Sequence, residues 1–567
     1  MDPLVHYEVF IRTSPTSRWA LEIATDQPHI ALSTAEDLVK SGRVAGAMVT
    51  KETFNEKNCT FQSETLFKEA VEGATRKATL GDWDPLCGSP DDLYTDRARE
   101  RIAGLIESWL ARNHVTPFEL LHNAGVVEQL EAASTELQHA IQKFAIAEVQ
   151  IRGGVTHEMI RRVQGLLAGA GSRLRRHAQA GVVKAEPGGF GALAISLAGK
   201  PEDEFLLGLS VAAASAGAGS WREKAKILLD LLQAAPVEGP GRDLALSVLD
   251  QPLAEMLTSS AALQALVGDC DDLGGALIAL ARLIIPEAVE QAAETDPQIR
   301  RVIPQLSAEA ARLAALLTAD ELKRARAAAA KRVLGDLHGH KRLRPSNAAD
   351  EIMVLRALAM SLTAAAGALL PEEDLLAALG SRSRTLLSSD FLDAYLGEGR
   401  SARHEAESLL WLAQNVIGTA NKRRAARLLQ GSVFGLKFET ETLAAAQGPA
   451  AQLASLAALQ RAVAASSLPR ADANAIEQKL GQLGGKLEAK ANLVAALVRS
   501  NVSAVQKLTY LLRLAAGETA PLGLASDRAR TEAMKLVRED ELRAELSRDE
   551  GQVAVVRDLI QQAGLAA

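Results

Sequence analysis

Apolar and polar residues alternate along "HYEVFIRT" and "SRWALEIAT", two runs joined by Ser-Pro-Thr-Ser, and this period of two predicts a β-hairpin. The next run, "STAEDLVKSGRV", switches to helical spacing with Ser33 or Thr34 as its N-cap. "AGAMVTKETF" and "CTFQSETLFKE" then alternate again around the turn-forming "NEKN". The order ββαββ predicts a small α+β domain over residues 1–75. A stretch dense in Gly, Pro and Asp, "GDWDPLCGSPDDLY", follows it and predicts a linker over 76–94.

From Thr95 the period becomes helical. "DRARERIAGLIESWLARNH" places Ile102, Leu105, Ile106, Trp109 and Leu110 on one stripe, and "VTPFELLHN" restarts a helix with Thr116 as N-cap and Pro117 in the first turn. One long helix is predicted through "VVEQLEAASTELQHAIQKFAIAEVQ" and another through "THEMIRRVQGLLAGAGSRLRRHAQ". "GVVKAEPGGFG" interrupts the pattern, which divides a helical domain at 95–180 from a larger one at 192–445 and C-terminal helical hairpins at 446–567. About fifteen helices are predicted beyond that break, punctuated by segments such as "PVEGPG", "LLPEED" and "SLPRAD". The breaks recur at no fixed period, so a regular solenoid is not predicted.

Composition narrows the class. Apolar residues are 48% of the 567 but aromatics only 4%, and Ala and Leu dominate the apolar share, which suits closely approaching helices. The predicted fold is mostly α: a small N-terminal α+β (ββαββ) domain, then a large irregular Ala/Leu-rich helical bundle or superhelix. A net charge of -7 means that any nucleic-acid contact must come from a local patch. "MDPLVHYEVFIRTS" lacks the marks of a secretion or transit signal, and the longest uncharged run, Phe205–Trp221, reads as a buried helix rather than a membrane span. The three cysteines, Cys59, Cys87 and Cys270, form no CxxC, which predicts thiols in a reducing cytoplasm.

The run from Leu86 to Ala145, "LCGSPDDLYTDRARERIAGLIESWLARNHVTPFELLHNAGVVEQLEAASTELQHAIQKFA", resembles a stretch of bacterial helical proteins that also begin with a small strand-rich domain. The resemblance covers about a tenth of the chain strongly, implies no named activity and transfers no functional residue.

Several motifs could carry chemistry. "ELLH" sets Glu119 and His122 at i, i+3, and "ELQH" repeats this with Glu136 and His139, the turn that di-metal bundles use. Such a site also needs bridging carboxylates from two further helices, for which Glu100, Glu107 and Glu148 show no matching spacing, so the expectation is a structural role and no metal or other cofactor. "GGFGALA" fits the dinucleotide fingerprint at Gly189, Gly191 and Ala194 but follows a Pro-rich break instead of a strand. Cys87 lies beside Asp91 and Asp92, whose field would raise a thiol pKa where catalysis needs it lowered.

Three basic clusters remain. "RRVQGLLAGAGSRLRRH" holds Arg173, Arg175 and Arg176; "NKRRAARLL" holds Lys422, Arg423 and Arg424; "KRVLGDLHGHKRLRPSN" holds Lys341, Arg342 and Arg344. They could follow phosphates or an acidic partner, but they lack interleaved aromatics, and two fall at expected helix C-termini, where cations oppose the dipole. In the third, His338, His340 and Asp336 make a weak ligand set. The expectation there is a helix ending near Leu337, a solvated basic loop through Arg344 and a new helix capped by Ser346 or Asn347.

These features predict a non-catalytic cytoplasmic protein-interaction or regulatory scaffold with a protein partner and no membrane contact. A nucleic-acid-associated factor using the basic clusters is the first alternative, and an enzyme with an unrecognised site the second.

Overall fold

The computed structural model describes residues 5–12, 19–25, 27–40, 44, 46–55, 60–70, 87–268, 270, 272–339, 341–367, 369–444, 446–546 and 550–565. The chain forms two compact units, Met1–Gly88 and Ser89–Ala567. Cys59, His340 and most of the expected linker lie outside the described residues, as do the two turns expected at 14–17 and 56–58.

The first unit contains a four-stranded antiparallel sheet of order β2-β1-β3-β4, with β1 at Val5–Arg12, β2 at Ala20–Thr25, β3 at Gly46–Asn55 and β4 at Thr60–Ala70. The period of two sends Val9, Ala47 and Val49 to one face, where they meet Ala31 and Ala35 of the Pro28–Lys40 helix. This helix starts earlier than its sequence suggested. Pro28 occupies its first turn, and Ser33 lies inside it with Oγ donating to the Ile30 carbonyl at 3.2 Å, so neither Ser33 nor Thr34 is the cap.

The second unit is helical throughout its regular structure. The described chain holds twenty-nine α-helices in all, more and shorter than the periodicity alone suggested. Two expected long segments are each broken. The first divides at Ile106 into Asp96–Leu105 and Glu107–Asn113. The second divides at Ala133 into Ala124–Ala132 and Ser134–Arg152, where Ser134 and Thr135 lower helix propensity without a Gly or Pro to announce the break. "GGFGALA" lies within the Pro187–Leu197 helix, which excludes a strand-to-helix phosphate turn at those glycines. Of the uncharged run, Phe205–Ser215 lies in the Asp203–Ser215 helix, with Leu207, Val211 and Ala212 fully buried, while 216–220 turn and Trp221 opens the Trp221–Gln233 helix. No described helix is long and apolar enough to cross a membrane.

The largest apolar core runs from Phe118 to Leu483, with Ala185 and Phe190 inside the expected break at 181–191 and with members on both sides of the boundary expected after 445. A separate cluster, Val494 to Ala563, gathers the last helices, in which Ala504–Ala515 packs against Leu524–Leu536. Arg470–Ala491 packs mainly on Pro449–Ala464, with smaller contacts to Leu524–Leu536 and to the helix after it.

The 3-10 turn Pro90–Tyr94 buries Leu93, and Pro90 packs so closely on Gly169 that a Cβ there would lie 2.5 Å from Pro90 Cγ. Backbone held this way resists a protease. Limited proteolysis of the full chain is therefore expected to cut within 71–88 and to spare 89–94; a first cut inside 89–94, or inside a strand, would contradict this division.

Candidate functional site

All six residues of the short Pro117–His122 helix are buried, which places Glu119 and His122 in the interior. Thr116 and Glu119 form the capping box their spacing suggests: Glu119 N–H donates to Thr116 Oγ1 at 3.2 Å, and Thr116 N–H to Glu119 Oε2 at 2.9 Å. Glu119 Oε1 also accepts from Ser215 Oγ at 2.7 Å, and both oxygens accept from Lys224 Nζ. With exposures of 1% for Glu119 and 2% for Lys224, the pair is enclosed, and burial lowers the Lys224 pKa while Glu119 pulls it back.

A second buried pair lies beside it. Glu255 Oε2 accepts from Phe118 N–H at 2.7 Å, and its Oε1 lies 2.9 Å from Arg99 Nε. That N–H is not aimed at the oxygen, so the contact is electrostatic without being an aligned hydrogen bond. Arg99 Nη1 donates instead to the Tyr94 carbonyl at 2.8 Å and to Gln251 Oε1 at 2.6 Å. Burial pushes the Glu255 carboxyl up to about 7, with Arg99 and the Phe118 N–H opposing.

His122 is held neutral. Its Nδ1 bonds the Phe118 carbonyl at 2.8 Å, its ring stacks on Phe118 at 4.2 Å, and burial lowers its pKa to about 3. The Asp203–Ser215 helix approaches so closely at Gly208 that a Cβ there would fall 2.7 Å from His122 Nε2. Arg173 completes this region, stacked 3.7 Å from the Phe205 ring centre and paired with Asp91 and Glu202 at 2.8 Å each.

The two Glu-x-x-His turns therefore stand in unlike surroundings. Glu119 has both oxygens committed, Glu136 pairs with Arg112, and His139 is exposed on the Ser134–Arg152 helix. Glu148 is claimed by Arg101 and Arg152, and Glu100 by Lys331. Among the described residues no three His, Cys, Asp or Glu side chains gather as a metal would require.

The opening of "KRVLGDLHGHKRLRPSN" is helical to His338, and Asn347 caps the Ala348–Ala364 helix by accepting from Asp350 N–H at 3.1 Å. The loop between them is only partly solvated. Arg342 pairs with buried Glu351 at 2.8 Å, Arg344 with Asp272 at 2.7 Å, and Leu343 is fully buried, while Lys341 is exposed. Beneath it Arg382, with no exposed surface, donates to the carbonyls of Leu337, Asp336 and Lys341 and so closes the helix end.

The other clusters divide. Arg175 reaches Glu131 at 3.7 Å, Lys422 donates to Ser467 Oγ at 3.0 Å, and Arg423 and Arg424 are exposed. Arg176 is exposed on the C-terminal half of Thr156–Ala180, whereas Lys422, Arg423 and Arg424 open the Thr419–Phe434 helix.

Lys224, Glu255, Arg99 and Arg382 carry this network and were not singled out by motif. Lys224 and Arg382 had a signal nonetheless, since each occupies the apolar stripe of its helix: Trp221, Ala225 and Leu228 flank the first, and Ala378, Leu379 and Leu386 the second. No protein-family model, curated protein or solved structure matches the chain.

Two outcomes follow from these pairs. Lys224→Met strands a buried carboxylate and is expected to cost about 3–5 kcal/mol, whereas adding Glu119→Gln recovers much of the loss. Urea unfolding of the three proteins checks this, and equal loss in the single and double variants would contradict it.

The second concerns pH. Native Glu255 takes its proton near 7 against an ordinary 4.5, so acidification through that window stabilises the fold; native His122 refuses one down to about 3 against an ordinary 6.5, so acidification destabilises it. Each effect has a limiting slope of ~1.4 kcal/mol per pH unit, and they oppose one another where the windows overlap. Glu255→Gln removes the stabilising arm, so the melting temperature is expected to fall more steeply between pH 6.5 and 4.5 than in the parent. Parallel profiles would contradict it.

Proposed function

We propose that the protein is a non-catalytic cytoplasmic scaffold or regulatory factor whose partner is another protein. The observation that carries this reading is how the charged groups are spent. Among the strongly perturbed groups, His122 is buried and Glu255 nearly so, Glu439 at the surface is held low by hydrogen bonds from Lys479 and Lys486, and Arg173, Arg342 and Arg344 are matched to acidic residues of the same unit. Catalysis needs such groups to meet a substrate, and phosphate binding needs cations that can shed counterions. Groups committed inside the fold do neither, and they leave the helical surface as the working part.

Filter binding with DNA and RNA across a salt series tests it. No saturable binding is expected near physiological salt, and no change when Arg342 and Arg344 are both replaced by Ala. Tight binding whose salt slope shrinks on removing Arg175, Arg176, Arg423 and Arg424 would establish the nucleic-acid alternative instead.

A further inference from the structure

Residues 89–180 form a layer with an apolar centre of its own, in which Ile106, Trp109, Leu110, Val126 and Leu130 pack together apart from the largest core. This layer meets the helical body that begins at Pro187 mainly through one short element. Pro117–His122 packs on Asp203–Ser215 and on Pro240–Thr258, whereas the two longest helices of the layer, Ser134–Arg152 and Thr156–Ala180, pack on each other. Phe118 enters the largest core, and Tyr94 and Leu174 join Phe205 and Leu209 in a small cluster at the edge.

Charged groups bridge the same seam. Glu119 meets Lys224, Arg99 lies against Glu255, Arg324 Nε is 3.3 Å from Asp96, and Lys331 and Arg173 pair with Glu100 and Glu202 at 2.8 Å each. A pair taken out of water gains little over its two hydrated halves, so a seam rich in such pairs parts more readily than one of Ala and Leu: each separated charge recovers its water. The chain joins layer to body at a single place. Thr156–Ala180 stops at Gly181, whose φ of +89° suits a residue without a side chain, and Val183 and Lys184 are exposed before Ala185 N–H donates to the Ser210 carbonyl at 3.0 Å and anchors the chain on the body.

We propose that residues 89–180 are a hinged cover that lifts from the body as one unit, turning at 181–184 and drawing Pro117–His122 out of its seat. Lifting keeps the packing inside the layer and exchanges the bridging pairs for water, so the layer opens whole while the body stays folded. The seat it uncovers lies between Asp203–Ser215 and Pro240–Thr258, where Gly208 leaves room for the His122 ring and Lys224 and Glu255 stand beside it. This goes beyond the scaffold reading and does not rest on it, since the opening is read without any partner present.

Hydrogen exchange of the full chain, followed by mass spectrometry, decides the matter. At a pH where exchange outruns reclosing, peptides from Asp96–Leu105, Ser134–Arg152 and Thr156–Ala180 are expected to exchange in one correlated step at a common rate, at least about tenfold ahead of Leu273–Ile284 in the body core. Lys224→Met leaves the Glu119 carboxylate buried without its cation only while the cover is shut. Near neutral pH it is therefore expected to speed exchange of the layer on the order of a hundredfold, and adding Glu119→Gln to slow it again. The correlated step in the unsubstituted chain stands as the test should a variant fold poorly. Layer peptides that exchange at the rate of Leu273–Ile284, or helix by helix at unrelated rates, would overturn the proposal, as would a Lys224→Met chain whose layer exchanges no faster than the parent's.

Discussion

Every helix leaves amide and carbonyl groups without partners at its ends, and a chain folded into many short helices buries many such ends. Local caps such as Thr116, Ser220 and Asn347 supply some of the missing partners, and at several ends distant charged side chains supply them. Glu255 accepts from the first turn of Pro117–His122, Asp250 accepts from Arg324 and Ala325 at the start of Lys323–His338, Glu441 accepts from Ala402, and Arg382 donates to the carbonyls at the far end of Lys323–His338. Each bond fixes both an end and the helix that lends the side chain. Packing of Ala and Leu supplies most of the burial, but these bonds choose which end meets which neighbour.

This use of charge bears on what the surface can do. A carboxylate that holds a helix end inside the fold is withheld from solvent and from ligands, and so is the arginine beside it. The ionisable clusters that would suggest a reactive site in a cleft are here part of the framework.

The small sheet, the Pro117 start with its Thr116 cap, the buried uncharged helix and the Asn347 restart were legible because each rests on local rules of alternation, capping and periodicity. The breaks at Ile106 and Ala133 were not: Gly104 just before the first is a weak signal inside an otherwise continuous stripe, and the second has neither Gly nor Pro. The start of the Pro28–Lys40 helix was misjudged because Ser33 and Thr34 mimic caps while Pro28 already fits a first turn. Of the network, only the half that obeys local spacing could be read: Glu119 is announced by Thr116, but its bond to Lys224 spans 105 residues. A lone charge on an apolar stripe says that a partner exists without saying where.

The Lys323–His338 helix shows what this arrangement implies for a chain made from one end to the other. Asp250, which holds its start, precedes it, so that contact can form as soon as the helix emerges. Arg382, which holds its end, lies 45 residues beyond Leu337 and is still unmade at that moment. The nascent helix thus has one anchored end and one frayed end until the ribosome has delivered the next two helices, and its last turn settles only when a later part of the message has been read.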